Sequence, residues 1–194
     1  MKQLALEISP PPQPTLENFV PGANAELLAR LQDFRSGAFP EIILYLWGSG
    51  GSGKSHLLRA AGGEHTADDV ERLDEAAQIE LFNVINEARE SGGRVLASGN
   101  APPAQLPLRE DLKSRLAWGL VYELKPLNDA DRAAYLRGEA ERRGLKLPEE
   151  VIAFLLTRMK RDLRSLTAIL DRLDQFSLET KRPITLPMLR DALK

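Results

Sequence analysis

The chain has 194 residues, 43% of them hydrophobic, with 26 basic and 28 acidic side chains for a formal net charge of −2. That is enough to bury the core of one α/β domain, or of a small α/β domain with a helical appendage. It has no cysteine and two histidines, which excludes disulfides, thiol nucleophiles and cysteine zinc sites and leaves oxygen ligands to carry any metal.

The longest apolar stretch, residues 42–47, falls far short of the ~20 residues that span a bilayer, and the N-terminus lacks the layout of a signal peptide. A cytoplasmic protein without membrane contact is expected. Residues 1–124 carry 11 basic and 17 acidic side chains, residues 125–194 carry 15 and 11. The signs alternate along the second part, as on solvated helix faces, so DNA contact is expected to be weak or indirect.

Residues 10–14 read Pro-Pro-Pro-Gln-Pro, an extended tether that sets the preceding residues apart as a short peptide. Leu27, Leu28 and Leu31 recur at helical spacing over residues 25–34. Residues 41–47 form a compact apolar run suited to a buried parallel strand. A glycine-rich turn follows, then a helix over residues 56–61 that Gly62 and Gly63 stop. Residues 74–90 carry apolar side chains at 77, 81, 84, 85 and 88 and predict an amphipathic helix, and residues 94–98 a second buried strand. From Leu127 onward the pattern is helical: 129–143, 148–158, 162–177 and 186–193, with Pro148 and Pro187 near helix starts.

Gly48-Ser-Gly50-Gly51-Ser52-Gly53-Lys54-Ser55 satisfies G-x-x-x-x-G-K-[ST] between an apolar strand and a helix. The glycines permit positive φ and let phosphate oxygens reach successive backbone N–H groups, and the helix N-terminus adds partial positive charge. Lys54 is expected to reach the β- and γ-phosphates of ATP or ADP and the Ser55 hydroxyl to ligate Mg²⁺. The ion also needs an acid at the end of a neighbouring strand. Asp68-Asp69 is the candidate pair, although residues 64–67 are too polar for a buried strand, and the pair could equally cap the following helix.

Several stretches together resemble the AAA+ family, in the branch of the bacterial replication initiator DnaA and its shortened relative Hda. The resemblance covers almost the whole chain and implies a parallel-sheet P-loop NTPase core over residues 15–125, an all-helical lid over 126–194, and a separate segment over 1–14. Thr15-Leu-Glu-Asn18-Phe19-Val20-Pro-Gly22-Ala-Asn24 is similar to the segment that holds adenine, which implies that Asn18, Phe19 and Val20 lie near the base, with His56 after the P-loop joining the nucleotide contacts. Asp68-Asp69-Val70 resembles the Walker B end, implying Asp68 as Mg²⁺ ligand and Asp69 as the group that polarises the attacking water. Leu96-Ala-Ser-Gly-Asn100-Ala-Pro-Pro resembles the sensor 1 strand, implying that Asn100 faces the γ-phosphate.

Leu112-Lys-Ser-Arg115-Leu-Ala-Trp-Gly119 resembles the box that carries the arginine finger of this branch, implying that Arg115 acts on a neighbour's nucleotide. That neighbour is either another copy or a different protein. Arg161-Asp-Leu-Arg164-Ser-Leu resembles the sensor 2 helix, and either arginine could instead be a solvated charge. Gln3-Leu4-Ala-Leu6-Glu-Ile8 resembles the peptide that docks on the bacterial polymerase III sliding clamp (beta); alternate apolar side chains and a Gln amide suit an extended peptide in a groove, and an unstructured or β-edge terminus is the plainer reading. With the sequence ending at Lys194, the DNA reader that follows the DnaA lid is not expected. The Hda-type combination implies a regulator that promotes hydrolysis of DnaA-bound ATP. The alternative is a stand-alone ATPase or clamp-loader-like subunit acting on its own ATP.

Family members place a further strand and helices before the Walker B strand, where this sequence has only residues 62–67. A parallel crossover needs a dozen or more residues including its helix, so either a strand of the family sheet is lacking or an internal segment is missing from the sequence.

Overall fold

The computed structural model describes residues 13–159, 162–180 and 182–192. It divides into two compact units with the break between Pro126 and Leu127. In the first unit, α1 (Ala25–Ser36) precedes β1 (Ile43–Trp47), followed by α2 (Lys54–Ala61), β2 (His65–Ala67), α3 (Glu75–Ser91), β3 (Val95–Gly99), α4 (Glu110–Leu116) and β4 (Leu120–Glu123). The sheet is parallel throughout, in the order β2-β3-β1-β4, with Ile43 opposite Val95 and Leu44 opposite Leu120.

Because side chains alternate across a strand, β1 feeds two cores. Leu44 and Leu46 join Leu57 and Leu58 of α2 and Leu27 and Leu31 of α1 on one face; Ile43 and Tyr45 join Leu81 and Ile85 of α3 and Leu112 and Leu116 of α4 on the other. β1 is therefore apolar on both sides, as a central parallel strand must be. The edge strands are not: β2 is half-exposed and β4 alternates between half-buried and exposed residues.

The connection from β1 to β2 is made by residues 48–64 alone. Residues 48–64 hold the loop, the eight-residue α2 and a two-glycine exit at Gly62 and Gly63, both at positive φ. The strand it reaches is not β1's neighbour: β3 lies between them. Of the polar stretch 64–67, His65–Ala67 do form a strand, because an edge strand pairs on one side only.

The second unit packs α5 (Asp129–Arg142), α6 (Glu149–Arg158), α7 (Leu163–Thr180) and α8 (Leu186–Ala192) around Leu136, Val151, Leu155, Leu166, Leu170 and Leu189. α5 begins with a capping box, in which the Asn128 side chain accepts from the Asp131 N–H and the Asp131 carboxylate accepts from the Asn128 N–H.

Candidate nucleotide site

In a parallel sheet, ligands bind at the carboxyl ends of the strands, where successive connections leave in opposite directions. β1 is that place: one connection runs from it to β2 on one side, and the path from β3 to β4 passes to the other. Residues 48–53 lie there. A Cβ on Gly48 would come 2.6 Å from the Leu124 carbonyl oxygen, and one on Gly53, at φ +106°, would come 2.7 Å from the Phe19 ring. Only glycine fits either position. Gly50 faces open space, so its backbone can be approached closely.

Lys54 is 7% exposed, and its ammonium donates to the carbonyl oxygens of Gly48 at 2.8 Å and Ser49 at 3.2 Å. The Ser52 hydroxyl oxygen is buried and finds no hydrogen-bond partner among the described residues. Such an unpaired group costs ~1–3 kcal/mol, and a phosphate oxygen in the loop would satisfy it. The donor set, two hydroxyls, an ammonium and a helix N-terminus, suits a phosphate chain.

Asp68 follows β2 on the same edge of the sheet. Its carboxylate accepts from the Ser98 hydroxyl and from the Asp69 N–H, and the Ser55 hydroxyl lies close enough to help lower its pKa. Partial burial works against its ionisation, but these hydrogen bonds and the Lys54 charge outweigh it and hold the carboxyl below its ordinary range. Ser55 and Asp68, the two side chains expected to share a cation, thus lie near each other. Among the described residues no three His, Asp or Glu side chains cluster to hold a metal by themselves, so a divalent ion here would also need phosphate oxygens and water.

Asp69 adopts the left-handed conformation (φ 49°, ψ 49°) and lies 3.9 Å from Arg72. Neither member of the pair caps the long helix. Asp74 does, its side chain accepting from the Ala77 N–H at 2.8 Å. Asn100 is exposed at the end of β3, and its N–H donates to the Glu71 carboxylate at 3.2 Å.

Residues 15–24 flank the loop. His56 Nε2 lies 2.9 Å from the Thr15 carbonyl oxygen, and the His56 and Phe19 rings are 5.5 Å apart. Asn24 is buried and bonds both ways with the Lys125 backbone, at 2.9 Å each, anchoring this segment to the end of β4. Val20 is half-buried. Asn18 is engaged elsewhere: its side chain accepts from the Thr15 N–H and donates to the Gln13 carbonyl, both at 2.9 Å, closing its own turn.

Arg115 is not at this edge. It lies in the last turn of α4, just before β4 starts, whereas the P-loop follows the end of the parallel β1. Its Nε donates to Asn86 Oδ1 at 2.9 Å, and its guanidinium stacks on Trp118, 3.8 Å from the ring centre, with Phe82 4.9 Å away. Arg161 and residues 3, 4, 6 and 8 lie outside the described residues, as does the side chain of Arg164. Sequence reasoning missed Ser98, Glu71, Asn24 and Asn86. Ser98 lies near the carboxyl end of β3, two residues before Asn100, and nothing local marks it out from other small residues of a buried strand.

Residues 129–193 match the family model described as the Hda lid domain. Domain III of the Thermotoga maritima replication initiation protein DnaA is 25% identical over 94% of this chain and 96% of that one, with a TM-score of 0.79. AMPPCP-bound DnaA from Aquifex aeolicus is 24% identical, over 82% of this chain and 64% of that one, with a TM-score of 0.71. A Thermotoga maritima RuvB variant shares the fold at 15% identity, over 94% of this chain and 71% of that one, with a TM-score of 0.71. The parallel sheet with its P-loop and the likeness to DnaA domain III give the chain a DnaA-like AAA+ fold, and its last third resembles the Hda lid domain.

Proposed function

We propose that this chain binds ATP or ADP with Mg²⁺ in its P-loop and, while docked on the sliding clamp, promotes hydrolysis of DnaA-bound ATP by supplying Arg115, so repressing re-initiation. The observation that carries the reading is the position of Arg115. It sits at the amino ends of the strands and the P-loop at their carboxyl ends, which keeps it from its own phosphates and supports a role on a neighbour's. A guanidinium entering another subunit's site neutralises charge developing on the γ-phosphate, and such fingers are worth ~10³–10⁵ in rate.

Support for the nucleotide comes from the buried Lys54, the unpaired Ser52 hydroxyl and the nearness of Ser55 to Asp68, and from a DnaA relative that is AMPPCP-bound. Lys54, Ser55 and the backbone of residues 48–53 would hold phosphates, Ser55 and Asp68 the cation, Phe19 and Val20 the base; Asn100 would sense the γ-phosphate, with Arg161 or Arg164 contributing from the lid. Asp69 would orient water.

The test is hydrolysis of ATP prebound to DnaA, with clamp-loaded DNA and this protein added. Arg115→Ala should lower the stimulated rate at least a hundredfold, and Gln3→Ala with Leu4→Ala should remove its dependence on the clamp. Unchanged stimulation by Arg115→Ala would refute the proposal. The intact Ser55–Asp68 pair favours a second reading, a stand-alone ATPase. Rapid hydrolysis by the purified chain alone, together with that unchanged stimulation, would establish it instead.

A further inference from the structure

Most arginines of the first unit meet an acceptor: Arg35 meets Glu17, Arg72 meets Asp69, Arg109 meets Asp111, and Arg94 donates to the backbone carbonyls of Phe34 and Gly37. Arg89 and Arg115 are held differently, Arg115 by the neutral Asn86 amide and both by one aromatic ring. Neither has a carboxylate within ion-pair distance among the described residues, yet both guanidiniums lie within 5 Å of the centre of one indole ring, that of Trp118: Arg115 at 3.8 Å and Arg89 at 4.7 Å. Two like charges gathered on one ring repel each other, and the ring's quadrupole only partly offsets that.

The platform is presented outward. Trp118 is 40% exposed and Arg89 is exposed. Arg89 lies one turn beyond Asn86, the residue that fixes Arg115, so α3 offers both on one face. Ile79, two turns before Asn86 on that face, is 42% exposed. Arginine and tryptophan are the residue types that dominate binding energy at interfaces, and an uncompensated pair of guanidiniums fits an anionic partner surface.

We infer that Arg89 is a docking residue beside the finger: it meets an anionic group, phosphate or carboxylate, at the rim of the partner's nucleotide site, with Trp118 as the apolar platform between the two arginines. The inference rests on the reading of Arg115 given above. The division of labour follows from position. Arg115 is fixed by Asn86 and Trp118 and is aimed at the reacting phosphate. Among the described residues Arg89 has only the ring to orient it, and it holds the complex together without taking part in the chemical step.

The experiment titrates the full-length chain into ATP-bound DnaA on clamp-loaded DNA and separates maximal rate from half-saturating concentration. Arg89→Ala should raise the half-saturating concentration about tenfold and Arg89→Glu further, at an unchanged maximal rate, because a rim charge acts on encounter and holding. Arg89→Lys should recover most of the loss, and Arg89→Ala should flatten the dependence on salt. With Trp47→Phe leaving Trp118 as the only indole of the two in the chain, its emission should change on adding the ATP-bound partner. Repeating the emission titration with the partner loaded with ADP separates the sources: loss of the Arg89 effect on half-saturation identifies the γ-phosphate, and its persistence a partner carboxylate or the inner phosphates. If Arg89→Ala leaves half-saturation unchanged while Arg115→Ala abolishes hydrolysis, the inference is wrong and the reading of Arg115 stands. A fall in maximal rate alone would place Arg89 in the chemical step and overturn it too. If Arg115→Ala has no effect, both fail.

Discussion

At the scale of single residues, the site turns on how Asp68 is held. Its carboxyl titrates below its ordinary range because the Ser98 hydroxyl and the Asp69 N–H donate to it while Ser55 and Lys54 lie nearby. For a depressed carboxyl, the anion's contribution to stability is complete above the unfolded-state value and fades as pH falls through the lower, folded one. Ser98→Ala removes a donor and should raise the Asp68 pKa, read by NMR titration of the carboxyl carbon. It should also weaken Mg²⁺-dependent nucleotide binding ~10-fold or more, as loss of supporting contacts behind a metal ligand does, while Ser98→Thr restores both. An Asp68 titration unmoved in Ser98→Ala would count against the role. Lys54 and Ser55 were legible because their whole context is local: strand, loop, helix. Ser98 was not, since it reaches Asp68 across 30 residues of sequence and resembles any small residue in a buried strand.

Among elements, legibility followed burial. The helices around residues 25–34 and 74–90 and the strands around 41–47 and 94–98 stood out because each places an apolar face or run against a core. β2 and β4 escaped because edge strands have one paired side and tolerate polar or alternating residues. α4, seven residues, was too short for its period to show. The start of α3 is set by Asp74, and Asp74→Ala should cost ~1 kcal/mol, the usual worth of an N-cap, measured by denaturant unfolding. The same change at Asp68 should not alter helix capping, since Asp68 caps nothing in the structure.

For the molecule as a whole, ligand and fold are linked. A nucleotide that binds only the folded chain stabilises it by about 2.7 kcal/mol at a hundredfold excess over Kd. A non-hydrolysable ATP analogue with Mg²⁺ should therefore raise the thermal midpoint by several degrees, and Lys54→Ala should abolish the shift while leaving the ligand-free midpoint close to its original value. Absence of a shift in the unaltered chain would remove the nucleotide from the proposal. The two units have separate cores, one on each face of the sheet and one among α5 to α8, so a change such as Leu170→Ala should be felt first in the lid.

What the sequence determined alone is whatever a few adjacent residues decide: a phosphate-binding loop between strand and helix, the amphipathic helices, and the absence of cysteine chemistry. Glycine φ angles, helical periodicity and the reach of Lys54 are short-range properties. Tertiary structure decided the rest. Only the sheet order brings Asp68 and Ser98 to Ser55, only parallel pairing with β1 shows that Arg115 faces away from its own loop, and only packing between α3 and α4 gathers two arginines on Trp118. Those are distances between segments far apart in the chain, set by which faces must leave water together, and no local pattern records them.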